Sequence, residues 1–255
     1  MKLHVLTLFP EMFQGMMTTS IIKRALGEQK AAINLIPFRQ FTKDPYRRVD
    51  TPPIGGGAGL VLKYQPIHDA LLSITNPGKK ILLTPRGKPF TQADALRLSQ
   101  LPSFTLICGH YEGFDERIHQ DVDEMISLGD FVLTGGEIAA MAILDAVIRL
   151  LPGVIEASSL EEESFTKGLL EYPQYTEPRV IGDQHVPEIL YSGNHEAIRT
   201  WRFKQSLFLT RLHRPDLFAK LSLSKTMLAL LKELDDGRQG DWEIQAIDKG
   251  RKFTK

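Results

Sequence analysis

Three short glycine-bearing stretches, Thr84-Pro85-Arg86-Gly87, Gly109-His110-Tyr111-Glu112-Gly113 and Thr134-Gly135-Gly136, each follow a run of strand-forming residues. In open α/β sheets ligands sit beyond the carboxyl ends of strands, so these stretches point to a shared small-molecule cradle. Gly135-Gly136 permit backbone angles and close approaches that a side chain would block, and a flat ligand can lie against such a turn. None of the three matches G-x-G-x-x-G with its following acidic residue, or G-x-x-x-x-G-K-[ST]. That argues against an ordinary dinucleotide site and against a phosphate-gripping loop. A fourth cluster, Gly55-Gly56-Gly57-Ala58-Gly59, reads alone as a flexible loop.

A second group of residues suits a polyanion. Between Arg199 and Arg214 the chain carries Arg199, Arg202, Lys204, Arg211 and Arg214 with no acid among them, interleaved with Trp201, Phe203 and Phe208. Such a segment fits an RNA contact, and equally an amphipathic helix with a solvated basic face. Lysine plus arginine (31) balance aspartate plus glutamate (31), so any nucleic-acid footprint is local rather than global. Cys108 is the only cysteine, which excludes an internal disulfide, a cysteine-rich zinc site and a C-x-x-C redox pair; a reducing, cytoplasmic setting fits. The apolar start is interrupted by Pro10-Glu11 and reads as a first strand, not an export signal. The apolar run near Ile138 stops at Asp145, short of the ~20 residues that cross a bilayer, so a soluble protein without membrane contact is expected.

The elements that must position these groups follow from periodicity. Strand-like runs at residues 3–9, 32–36, 80–83, 104–108 and 131–133 are separated by segments of helical composition, among them 18–29, 66–72 and 91–98, with Thr91 as an N-cap. The order is that of an α/β domain with a mostly parallel sheet. From Glu137 a helix of about four turns runs toward Pro152, which ends it. Only Glu137, Asp145 and Arg149 on it are charged, and they share one ridge. A helix apolar on its other faces needs cover on most sides, from a sheet on one and from another subunit on the other. The plain role for Arg149 is an ion pair with Asp145 one turn back. Beyond Gly153 the acidic stretch from Glu156 to Glu163 has no hydrophobic period. It divides the chain into residues 1–155, a linker at 156–168 that orders when a partner binds, and a small α-helical unit at 169–255, where Asn194 or Ser192 caps the helix containing Trp201.

Taken in order, these motifs resemble one family, the bacterial tRNA (guanine-N1)-methyltransferases that modify the guanine at tRNA position 37. The resemblance runs through residues 8–13 (L-F-P-E-M-F), the Gly55 to Gly59 cluster, residues 109–117 (G-H-Y-E-G-F-D-E-R) and residues 127–137 (S-L-G-D-F-V-L-T-G-G-E). It continues with Arg149 and Pro152-Gly153, then Ser164-Phe165, Gly168-Leu169-Leu170, Tyr175-Thr176, Pro178 and Ser192-Gly193-Asn194-His195 with Arg199, Trp201 and Arg202. It implies an α/β sheet with a deep trefoil knot of the SPOUT class, a homodimer, and S-adenosylmethionine bound in a bent pose. By match to the family, the donor is lined by Leu83, Thr84, Pro85, Gly109, Tyr111, Glu112, Ser127, Leu128, Gly129, Asp130, Phe131, Val132, Leu133, Gly135 and Gly136.

The chemistry the resemblance implies can be argued from the base itself. Guanine N1 is a poor nucleophile while it keeps its proton, so methylation calls for a base at N1 and a positive group at O6, where negative charge accumulates. A guanidinium suits O6 because it stays charged and presents several donors, and Arg149 matches the family's arginine. The family's base is an aspartate just before Ser-Phe, thought to come from the other subunit. Here that position is Glu163, preceded by Glu161 and Glu162, with Glu162 the fallback base and a solvated acidic loop the plain alternative. His110 and Glu177 also stand where the family usually carries arginine. Ser164, Arg199, Arg202 and Lys204 would hold the anticodon arm of the tRNA. Magnesium is implied for the chemical step at a site the sequence does not place. A noncatalytic or impaired RNA-binding relative, or a knotted methyltransferase acting on a different RNA, are the alternative readings.

Overall fold

Period-two alternation decides how the sheet is covered. In β1 (Lys2–Thr7), Leu3 and Val5 belong to one buried cluster and Leu6 to another, because successive side chains leave opposite faces of a strand. The same split recurs in β3 (Lys79–Pro89), with Ile81 and Leu83 against Leu82, and in β4 (Ser103–Ile107), with Phe104 and Leu106 against Ile107. With β2 (Ala32–Pro37) and β5 (Glu124–Ser127) these strands form a five-stranded, wholly parallel sheet in the order β2-β1-β4-β3-β5. A parallel sheet of this kind is covered on both faces. Helices α1 (Ser20–Gly27), α3 (Gln92–Ser99) and α4 (Glu137–Ile148) contribute to one cluster, and α2 (Tyr64–Leu72) to the other. The computed structural model describes residues 1–252 and comprises two compact units, Met1–Ala157 and Ser158–Lys255.

The α/β class and parallel sheet are as the pattern predicts, but several elements differ. Residues 131–133 form no strand: Phe131 is 55% and Val132 90% exposed, in an irregular loop after β5. The fifth strand is instead Glu124–Ser127, whose acidic first residue hid it; the Glu124 carboxylate is held by Lys79 and Arg97 at the strand's start. The segment at 18–29 breaks where Ser20 takes a positive φ of 52°, leaving a short helix Gln14–Thr18 before α1. Helix α4 stops at Ile148, a turn before Pro152. The proline disfavours helical backbone in the residue before it, and the chain closes with i to i+3 bonds from Leu150 and Leu151 to Val147 and Ile148. Thr91 caps α3 as expected, in a reciprocal capping box with Asp94.

In the Ser158–Lys255 unit, helix α5 (His195–His213) is capped by the Asn194 side chain, which accepts from the Ala197 N–H. It packs with α6 (Lys225–Asp235) and α7 (Asp241–Arg251) through two small cores. One joins Trp201 with Ile189 and Ile247, the other Leu207 with Leu169, Leu230 and Leu231. A two-stranded antiparallel hairpin, Val180–Ile181 with Gln184–His185, was not foreseen. Part of the acidic stretch is a short helix, Ala157–Glu161. Among the described residues no helix is long and apolar enough to cross a membrane.

Candidate active site

The long strand β3 does not run straight. Its pairing with β5 passes from Leu83 opposite Ile126 directly to Lys88 opposite the same residue, so Thr84 to Gly87 are looped out of the ladder. That excursion forms one lip of a cleft of about 380 Å³, within the range of small-ligand sites. Its other walls are the Gly109 to Phe114 loop after β4 and the Ser127 to Gly136 loop after β5. The three glycine-bearing stretches therefore meet at the carboxyl ends of adjacent strands, where the spacing placed them.

Glycine is required here for room. A Cβ on Gly136 would lie 2.7 Å from the Cys108 Cα and 2.8 Å from the Gly109 nitrogen, and the Gly136 N–H donates to the Gly109 carbonyl at 2.7 Å. A Cβ on Gly87 would meet the Ile126 backbone at 2.4 Å. At Gly109 and Gly129 the obstructing atoms are the rings of Phe114 and Phe131. Tyr111, 44% exposed, holds φ at 58°, an uncommon backbone for a side chain this large. The Gly55 to Gly59 cluster is tied to the same wall: the Glu112 N–H donates to the Leu60 carbonyl, and a Cβ on Gly59 would strike the Glu112 side chain at 2.4 Å.

Beneath the cleft floor lies a buried polar pair that the sequence did not single out. Glu137, 1% exposed in the first turn of α4, accepts from the Thr7 hydroxyl at 2.8 Å, and that hydroxyl accepts from the Phe9 N–H at 3.0 Å. A carboxylate at a helix N-terminus is favoured by the helix dipole. Burial pushes the Cys108 thiol well above its ordinary range, and the charge on Glu137 adds to the effect. His110 lines the cleft between the rings of Phe9 and Tyr111, and its buried Nδ1 has no hydrogen-bond partner among the described residues.

Of the residues expected to line the donor, the cleft gathers all but Asp130, which is exposed outside it. It also enlists Arg86, His110, Phe114 and Ala139. Arg86 could have been suspected from its place in the first glycine stretch; Phe114 and Ala139 carry no signal in isolation. Arg149 is the half-buried residue ending α4, its N–H donating to the Asp145 carbonyl at 3.2 Å.

The remaining candidates lie in the Ser158–Lys255 unit. Glu163 and Ser164 are half-buried, and the Ser164 hydroxyl accepts from the Glu171 N–H at 2.9 Å. Glu162 accepts from the Tyr172 hydroxyl and faces Arg202 at 3.6 Å, while the Arg202 guanidinium lies 4.6 Å from the centre of the Tyr172 ring. Burial, then the bond to Glu162, pushes the Tyr172 phenol up to about 12, so it remains a donor at neutral pH. Arg199 is exposed. Lys204 is a correction: 3% exposed, it pairs with Glu233 at 2.8 Å and Glu243 at 3.5 Å, and no face of it is offered to a ligand. Arg211 and Arg214 pair with Asp235 and Asp216. Among the described residues no three His, Cys, Asp or Glu side chains are grouped to hold a metal ion.

Residues 1–220 match the protein family described as tRNA (guanine-1)-methyltransferase TrmD. The tRNA (guanine-N(1)-)-methyltransferase of Lactobacillus delbrueckii subsp. bulgaricus is 48% identical over 242 residues, covering 94% of this chain and 98% of its own. That of Caldanaerobacter subterraneus is 49% identical across 91% of this chain and 98% of its own, and that of Desulfitobacterium hafniense 51% across 92% and 90%. The match spans both the glycine-lined cleft and most of the helical unit, and on it the chain belongs to the tRNA (guanine-1)-methyltransferase family.

Proposed function

We propose that this chain works as a homodimer that methylates guanine N1 at position 37 of tRNA, with Arg149 and Glu163 as its catalytic pair and S-adenosylmethionine held in the glycine-lined cleft. The observation that carries this reading is the meeting of three glycine-bearing loops at one cleft, with backbone approaches that leave no room for a Cβ. Such a cradle suits a donor recognised through its flat adenine and ribose by backbone groups.

When bound there, S-adenosylmethionine supplies a methyl group on a sulfonium, activated for transfer. The protein's own residues must prepare the base. Glu163 takes the N1 proton as general base, and Arg149 opposes the negative charge that gathers on O6. Glu163 is the carboxylate that directly precedes Ser164-Phe165, which is what assigns it the proton; its neighbour Glu162 accepts from Tyr172 and faces Arg202. Glutamate in place of aspartate adds a methylene and a rotor, and a misplacement of ~1 Å can cost on the order of 100-fold in rate, so the linker must hold the carboxylate closely. Among the described residues no three His, Cys, Asp or Glu side chains are grouped to receive magnesium. Arg199 and Arg202, without Lys204, contribute phosphate contacts to the anticodon arm; these position the RNA without reading its sequence.

The test is a donor- and tRNA-dependent methylation assay with the product mapped. The expected result is 1-methylguanine at position 37, lost when that guanine is replaced by adenine. Donor and RNA binding without transfer would mark a noncatalytic relative, and transfer unaffected by the replacement would mark a different RNA target.

A further inference from the structure

A second cleft, of about 560 Å³, lies wholly within the Ser158–Lys255 unit and was not foreseen from the sequence. Its floor is the first two turns of α5, where His195, Ile198, Arg199 and Arg202 recur at three- and four-residue spacing and so share one face. The segment from Tyr172 to Glu177 and the pair Leu190-Tyr191 wall it. Three tyrosines therefore line one concavity. Tyr172 and Tyr191 are each already stacked with a guanidinium, Arg202 at 4.6 Å and Arg179 at 3.8 Å from the ring centres. Tyr175 is 46% exposed and lies 6.5 Å from the Trp201 ring.

Charge in the cleft is unevenly distributed. In the basic segment of α5, Arg202 faces Glu162, Lys204 two glutamates, Arg211 Asp235 and Arg214 Asp216. Among the described residues, Arg199 alone of that segment has no acidic partner, and it projects into the cleft. It stands close to the N-terminal end of a 19-residue helix, whose dipole also favours an anion. Against this stands Glu177, which lines the cleft and has no cation paired to it among the described residues.

An exposed aromatic face beside an unneutralised guanidinium, in a concavity of nucleotide size, is how proteins hold an unpaired base and its phosphate. Resting on the tRNA reading above, we propose that this cleft binds one unpaired nucleotide of the tRNA other than the target guanine, its base stacked on Tyr175 and its phosphate on Arg199. Glu177 sets an upper limit on that affinity.

The experiment uses the full chain and tRNA transcripts carrying 2-aminopurine, one at a time, at each unpaired position outside the target. Wild type should quench one position on binding, and Tyr175→Leu should abolish that quench while weakening tRNA binding roughly 5- to 150-fold, the usual worth of a stacked base. Arg199→Gln should reduce the salt slope of binding by about one. Glu177→Arg should tighten binding. Unchanged S-adenosylmethionine binding by each variant checks that the fold is intact. If wild type methylates its tRNA and no position depends on Tyr175, this site is overturned while the enzymatic reading stands. If wild type neither binds nor methylates tRNA, the reading beneath it falls as well.

Discussion

Two side chains decide most of what the sequence left open at the level of single residues. Glu162 and Glu163 are both carboxylates, and only Glu163 stands directly before Ser164-Phe165, while Glu162 meets Tyr172 and Arg202. With Glu163 as the base, Glu163→Gln is expected to lower the single-turnover methylation rate by at least about 100-fold, the scale of a lost general base, with Glu162→Gln changing it by no more than a few-fold. Equal, near-wild-type rates for both would remove the linker carboxylate from the mechanism. Lys204 shows the opposite kind of failure, since spacing placed it in a basic stripe and tertiary packing buried it between Glu233 and Glu243 with Trp242 beside it. Removing one partner of a buried ion pair costs about 3–5 kcal/mol. Lys204→Met should show that loss in denaturant unfolding while leaving the salt dependence of tRNA binding unchanged; a flattened slope with unaltered stability would return Lys204 to the RNA surface. Burial was the missing quantity for Lys204 and tertiary pairing for Glu162, and no one-dimensional pattern contains either.

At the level of elements, what was legible is what local periodicity and capping control. The parallel strands, the Thr91 cap, the Asn194 cap and the glycine turns all follow from short-range rules. The strand misplaced onto Phe131 to Leu133 fails for a physical reason: apolar, branched residues there line a cleft rim rather than a sheet. The deep knot that the family implies was beyond local reasoning altogether, because threaded chains are too rare for topology rules to propose. At Gly87 and Gly136 two backbone segments approach more closely than a Cβ allows. Because backbone rather than a flexible tip blocks a Cβ on Gly136, Gly136→Ala should destabilise the sheet unit by about 1–3 kcal/mol, as overpacking does, and abolish donor binding by calorimetry. Wild-type donor affinity in a stable Gly136→Ala protein would show that this approach has slack. The cap of α3 has a pH signature. Burial raises the Asp94 carboxyl, but its bonds from Thr91, Lys88 and Arg97 outweigh this and hold it below the ordinary range. A depressed folded value means the stabilisation is complete above the unfolded value near pH 4 and fades as pH falls through the folded one. The stability gap between wild type and Asp94→Asn, about 1 kcal/mol or more at neutral pH, should therefore close below pH 4; a gap constant with pH would assign it to packing alone.

For the whole molecule, the open question is what covers the outward side of α4 and the neighbouring loop. Val132 is 90% exposed, Phe131 55% and Ile138 45%, an apolar display that a single chain leaves in water. Cover by a second copy would bury these residues and allow the linker carboxylate of one subunit to serve the arginine of the other. That arrangement has a consequence no monomer shares. In a heterodimer of Arg149→Ala with Glu163→Gln, a site built across subunits draws Arg149 from one chain and Glu163 from the other, leaving one site intact and the other doubly defective. A site built within one chain leaves both sites singly defective. Mixing the two inactive variants under conditions that exchange subunits should then restore methylation to roughly a quarter of the wild-type level, since half of the randomly formed dimers carry one working site of two. Ile138→Asp, placing a charge in the apolar face, should block both dimer formation in sedimentation and the rescue. Absence of rescue between freely exchanging variants would show that each chain completes its own site, and the exposed apolar face would then need another explanation than catalysis.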